Sequence, residues 1–380
     1  MATVLSRFFK NRIGLLILYL FINGLFILKY FSRVSINAPL ILGFFTVLTL
    51  IVVILITFCF DYVSHKTIKI AYWVLTFLML ITITILLIKI NPYAIHVDRW
   101  SAIHNFLHNL FQGLYPYSAK THLGGYGSPF PIWQAFHIPF YLLGDVGLGM
   151  LFSIITLSIF LIWLFDNYLK AFLFNVLLAI SPAFWYEVAV RSDLFYNFIL
   201  CLIAITYIHK KRYSIQQHFL GLGILCGLFL STRFSIVIPF AIYLFSDFIR
   251  SDIKQKFTFG AIIILVFIIS FLPFIFWNFN TLFFFEYNPF ILQTRQGSLL
   301  EVVLISSLGV FLSLKWKANI LLCSSYISIT LFILVSVTFL HRMISEHFVN
   351  GLFSSSYDIT YFNMALPFII FALASKDKVG

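Results

Sequence analysis

The sequence predicts an all-α integral membrane protein of about twelve transmembrane helices, and three observations carry that expectation. The chain of 380 residues is 61% hydrophobic and 10% charged, too little charge to cover a soluble surface of that size. Apolar runs near 20 residues, the length needed to cross roughly 30 Å of hydrocarbon, recur along nearly the whole chain. Those runs are continuously apolar, whereas a membrane β-barrel would alternate over segments of about 10 residues.

Candidate spans fall at 13–30, 38–60, 68–90, 148–165, 170–186, 192–209, 218–232, 234–247, 257–277, 298–314, 318–340 and 358–374. The first run, Leu15 to Tyr30, follows Arg7, Lys10 and Arg12 but lacks a small-residue cleavage site, so a retained helix is expected over a signal peptide. Residues 218–247 carry basic clusters at both flanks, and the charge rule asks for two short helices turning at Ser231, Thr232 and Arg233. With twelve crossings both termini share one side. Of the 25 basic residues, 16 then fall on that side, in seven short segments: Arg7/Lys10/Arg12, Lys66/Lys69, Lys170, Lys210/Lys211/Arg212, Arg250/Lys254/Lys256, Lys315/Lys317 and Lys376/Lys378. By the positive-inside rule that side is cytoplasmic, and the expected location is the cell (inner) membrane.

The formal charge of +12 lies mainly in those short loops, so there is no basic domain for a nucleic acid to bind. Cys59, Cys201, Cys226 and Cys323 all sit inside apolar runs and form no CxxC pair, so nothing points to a disulfide framework or a thiolate metal site. The basic residues left outside are mostly arginine: Arg33, Arg99, Arg191, Arg233, Arg295 and Arg342. All four glutamates (Glu187, Glu286, Glu301, Glu346) fall there too. Charges of both signs at dry helix ends point to a polar cavity at that face, and arginine is suited to holding phosphate or carboxylate.

The chain reads as one polytopic domain, 1–380, with two long outer loops at 91–147 and 278–297. In the first, Ile103, Phe106, Leu107, Leu110 and Phe111 share one helical face, the pattern of an amphipathic helix lying on the membrane surface. Asp98 and Arg99 precede that helix, and the run Gly-Leu-Tyr-Pro-Tyr (113–117) and the stretch Gly124 to Pro131 follow it. A loop this long inside a compact protein is usually functional.

In that order of features, over roughly residues 70–300, the chain resembles the GT-C superfamily of membrane glycosyltransferases, and within it the polyprenyl-phosphate-mannose-type and protein-mannosyltransferase-like branches. The resemblance implies a hexosyltransferase of the cell envelope. Its donor would be a sugar linked to polyprenyl phosphate, its acceptor a glycan, lipid or protein hydroxyl, and its active site would face away from the cytoplasm. It maps the catalytic base to Asp98 and a second acid to Asp193, in the turn from Glu187 to Asp193. Two departures stand out: Arg99 occupies the place where some branches carry a second acid, and no soluble domain follows residue 300.

The chemistry assigns roles to match. Transfer to a hydroxyl needs a base and a group that stabilises the departing phosphate. Asp98 is the candidate base, with Asp193 and Glu187 as further acids; the competing expectation for Asp98 and Asp193 is helix capping. Arg233 interrupts an apolar hairpin at the end of Gly-Leu-Phe-Leu-Ser-Thr-Arg (227–233), and is expected either on the lipid phosphate or in a buried ion pair with Asp193 or Glu187. Arg295 and Arg191 are the other phosphate candidates; Arg99, Tyr115, Tyr117 and Tyr126 are candidate substrate contacts. His104 and His108 stand one helical turn apart, but without a third ligand at fixed spacing they define no metal site; no cofactor is assigned, and a divalent metal stays open. The alternative function is a polytopic transporter or flippase of a lipid-linked sugar, which would show broken helices and matching halves. A third reading is a non-catalytic partner of cell-envelope enzymes.

Overall fold

The computed structural model describes residues 2–34, 37–58, 63–284, 286–294, 298–314, 319–353 and 357–375. Among them the chain is helical throughout, with one isolated β-bridge between Lys120 and Tyr126. The helices are α1 (Ala2–Phe26, continued by a π-helical turn Ile27–Phe31), α2 (Ala38–Phe58), α3 (His65–Lys89), α4 (Arg99–Phe111), α5 (Pro131–Phe136), α6 (Ile138–Leu142), α7 (Leu148–Phe165), α8 (Tyr168–Ala179), α9 (Pro182–Ala189), α10 (Leu194–Lys211), α11 (Ile215–Leu230), α12 (Val237–Arg250), α13 (Ile253–Phe284), α14 (Pro289–Thr294), α15 (Leu299–Ser313), α16 (Ile320–Glu346), α17 (Phe348–Phe353) and α18 (Leu366–Ala374).

Six described helices are long and apolar enough to cross a membrane: Ile13–Phe31, Ala38–Leu55, His65–Lys89, Leu148–Phe165, Ile253–Phe283 and Ile320–Ser345. The protein is an all-α integral membrane protein. The pair α8 and α9 passes the same length and composition test only when taken together, as a broken span or a re-entrant loop, bent by 66° where Ser181 caps α9 and Pro182 opens it. Residues 215–250 form two helices, α11 and α12, separated by a turn at 231–236. Outward-facing α2, α13 and α15 leave Phe44, Phe276 and Leu304 exposed, as a hydrocarbon solvent allows. By contrast α18 is buried on every side, packed by α1, α8, α10 and α16, and its sequence Leu-Pro-Phe-Ile-Ile-Phe-Ala-Leu-Ala is accordingly apolar all round.

Close helix contact is built on small residues. Gly223 and Gly227 of α11 lie against α13, and a Cβ on Gly227 would stand 2.7 Å from Val266 Cβ. Gly227→Val is therefore expected to lower stability by about 1–3 kcal/mol through overpacking, read as a lower melting temperature of the purified protein.

The amphipathic α4 departs from its expected place. Its apolar face (Trp100, Ile103, Phe106, Leu107) is buried inside the protein, where Phe106 packs on Tyr117 and Phe274. Phe111 at its end remains exposed. Ile103, Phe106 and Leu107 of the stripe read from the sequence are covered by protein, while Leu110 is only half-buried.

Candidate functional site

Two ion pairs, one buried and one partly buried, organise one end of the bundle. The first joins the start of α10 to the α11–α12 turn. Arg233, in extended backbone just past α11, donates from Nη2 to Asp193 Oδ2, and Trp133 Nε1 donates to the same oxygen at 2.7 Å. Both side chains are almost fully buried. The turn is held by the first long loop: Phe130 N donates to Thr232 O and Ile132 N to Ser231 O, each at 3.1 Å. The Pro-Phe-Pro stretch at 129–131 thus fixes where Arg233 points. Asp193 stands at the N-cap position of α10 but makes no side-chain cap; its Oδ2 faces Arg233 and Trp133, and its buried Oδ1 has no partner among the described residues.

The second pair was not anticipated. Arg99 Nη2 donates to Asp358 Oδ2 at 2.6 Å and to Thr360 Oγ1 at 2.7 Å, and the guanidinium lies over the Tyr361 ring. Burial alone would loosen the Arg99 proton, but the facing Asp358 carboxylate overrides it and holds the group above its ordinary value. Asp358 in turn is held below its ordinary value by Arg99, against the upward push of its own burial. Lys29 Nζ donates to Tyr357 O at 2.7 Å, tying the end of α1 to the segment that presents Asp358. Beside them Glu187, fully buried, accepts from Asn363 Nδ2 at 2.9 Å. Glu187 and Asp193 both lie close enough to Arg99 to act on its charge.

Asp98 differs from these acids. It occupies the N-cap position of α4 without capping it; its Oδ2 accepts from Thr121 Oγ1 at 2.9 Å. Half-buried, it has no Lys or Arg partner within 4 Å among the described residues. The Gly-rich loop approaches it closely, since a Cβ on Gly125 would stand 3.2 Å from Asp98 Oδ2. Three residues on, Ser128 lines a cavity of about 400 Å³ that Arg233 also lines. Asp98 does not itself line that cavity; three residues of extended chain span at most about 10 Å, which bounds its separation from Ser128 at roughly 15 Å.

The cavity is chemically divided. Arg233, Ser128, Gln293, Thr294 and Tyr361 give it polar groups, and Leu299, Val302, Val303, Leu334 and Val335 give it an apolar wall. Gln293 holds the rim together, accepting from Phe234 N at 2.8 Å and donating to Ser128 O at 2.7 Å. Leu299 and Val303 are largely exposed, so this wall borders the outward-facing surface of the bundle.

The other expected site residues lie elsewhere or do other work. Arg191, with left-handed backbone (φ 52°), caps the end of α3: Nη2 donates to Leu87 O and, at 2.8 Å, to Ile90 O, while Nη1 meets Asp145 Oδ2 at 3.0 Å. It does not line the cavity, so the structure gives its guanidinium a helix-capping task in place of phosphate. Arg191→Gln is expected to cost about 1–3 kcal/mol of stability by stranding buried carbonyls, with donor KM unchanged once folded protein is compared. Tyr117 is buried in the packing core, with its hydroxyl 3.3 Å from Pro129 O. Tyr115 reaches Phe274 O at 3.4 Å and packs on Trp277, and Tyr126 packs on Tyr287. Arg295 lies outside the described residues. His104 stacks on Trp100, and His108 Nδ1 stands 3.3 Å from the Tyr141 hydroxyl. Among the described residues no three His, Cys, Asp or Glu side chains gather as metal ligands.

No family model matches this chain, and no curated protein or solved structure matches it.

Proposed function

We propose that the chain is a membrane glycosyltransferase that moves a sugar from a polyprenyl-phosphate donor to a hydroxyl acceptor at the non-cytoplasmic face of the cell membrane. The carrying observation is Arg233. It is a guanidinium anchored from behind by Asp193, which Trp133 holds in turn, at the wall of a mainly apolar cavity with a polar edge that borders the outer surface of the bundle. A phosphate on a long hydrocarbon chain matches that division, charge to charge and chain to wall. Twelve crossings with both termini cytoplasmic would bring this end of the bundle to the outer face; the basic-residue asymmetry of the loops supports that threading.

Asp98 is the base in this reading because it is only half-buried and has no Lys or Arg partner among the described residues, whereas Asp193 answers Arg233, Asp358 answers Arg99, and Glu187, though held only by Asn363, is fully buried. Its carboxylate takes the acceptor proton as the acceptor oxygen bonds to the anomeric carbon. The bond from that carbon to the phosphate oxygen breaks, and its electron pair leaves with the polyprenyl phosphate, whose charge Arg233 offsets.

One observation favours the rival reading of a lipid-sugar flippase. The broken α8–α9 pair carries buried Glu187 on its second half, and broken helices with buried acids are what transporters use. Liposomes loaded with a fluorescent polyprenyl-phosphate hexose separate the two. With extracted membrane glycolipids added as acceptor, the transferase reading expects free polyprenyl phosphate with no gain in exposure of intact donor to an added quencher; movement of intact donor between leaflets, without cleavage, would favour the flippase.

A further inference from the structure

A second cavity, of about 240 Å³, lies on the other side of α12, between α11, α12 and α13. Its lining is apolar but for the Cys226 thiol; Val237, Ala241, Phe245 and Phe248 supply the α12 side, with Phe259 and Ile263 opposite. From Val237 to Phe248 it follows α12 for about 17 Å, at 1.5 Å per residue, so it is a slot rather than a bowl. Val237 lines both cavities, is 43% exposed, and stands one helical turn beyond Arg233.

The two cavities divide the chemistry of one ligand. The first offers Arg233, Gln293, Thr294 and Ser306, whose buried hydroxyl has no partner among the described residues, for a phosphate and its sugar, and its apolar wall for the first prenyl units of the chain. The second has almost nothing to hydrogen-bond and suits hydrocarbon, whose dispersion contacts would fill the slot. We infer that the lipid bound through Arg233 passes its chain over Val237 into the α11–α12–α13 slot, so that the slot favours long chains over short ones. This rests on the lipid-phosphate reading of Arg233 but not on sugar transfer.

The test uses the full chain in nanodiscs with two prenyl monophosphates, farnesyl phosphate and a long-chain polyprenyl phosphate, together with a long-chain analogue bearing a diazirine towards its far end. The expected result is photolabel on Phe245, Phe248 or Phe259. Ala241→Trp, which fills the slot, should weaken long-chain binding about tenfold, the equivalent of one or two methylenes left unburied. Farnesyl phosphate binding should be unchanged, which also establishes that the variant is folded. Label confined to α15 and α16, or an equal effect of Ala241→Trp on both chain lengths, overturns the slot. Wild type that binds neither phosphate overturns the slot and the lipid-phosphate reading together. Label in the slot without any sugar transfer leaves this inference standing and removes only the transferase.

Discussion

Asp98→Asn is expected to lower sugar transfer by about 10²–10⁴-fold, the range that general-base removal costs, while melting temperature and donor binding stay near wild type. The substitution keeps an oxygen in place to accept from Thr121, so the loop geometry survives. It breaks no ion pair among the described residues, and the carboxylate caps no helix. Activity and stability are thus separable at this position. An Asp98→Asn protein that transfers at the wild-type rate, measured as product formed per minute under saturating donor, removes Asp98 from the chemistry. The same outcome is what a non-catalytic assembly partner would give.

The second large effect belongs to the Asp193–Arg233 pair, where stability and function are coupled. Removing one partner of a buried pair leaves the other charged and unpaired, which costs about 3–5 kcal/mol. Arg233→Ala and Asp193→Asn should therefore each lower the melting temperature sharply. The double substitution Asp193→Asn with Arg233→Gln replaces the pair by a neutral hydrogen-bonding one and should recover much of that stability. Transfer should not return with it, because no cation remains at the cavity wall to offset the leaving phosphate. If the double variant regains both stability and transfer, Arg233 holds helices together and does nothing else.

How far the sequence made this legible depends on the range over which each feature is encoded. Continuous apolar runs specify helices locally, and the turn at 231–236 is locally marked by Ser231, Thr232 and Arg233 breaking an apolar stretch. The Arg233–Asp193 contact, 40 residues apart, was foreseeable as one of two pairings because a buried arginine must find an acid and few acids lie near. Arg99 with Asp358 was not: the partners are 259 residues apart, and nothing flanking Asp358 marks it beyond its place before the last apolar run. Lys29 was hidden likewise, since a lysine near the end of an apolar run ordinarily snorkels to the interface. Arg191 has no local signal for its task either, because the carbonyls it caps end a helix about a hundred residues earlier. For α4 the periodicity gave the correct face, but periodicity carries no information on whether lipid or protein covers it. Asp98 fell at a helix start, where capping was the competing expectation; only three-dimensional placement reveals Thr121 and Gly125 as its neighbours.

The most direct measurement follows the bond that the proposal says is broken. Purified wild-type protein in liposomes is given a polyprenyl-phosphate hexose labelled in both sugar and lipid, with extracted membrane glycolipids as acceptor. The proposal expects free labelled polyprenyl phosphate and an equal amount of sugar on a new carrier, both lost with Asp98→Asn. Donor that binds yet stays intact with wild-type protein, across acceptors and with divalent metal added or chelated, would contradict it.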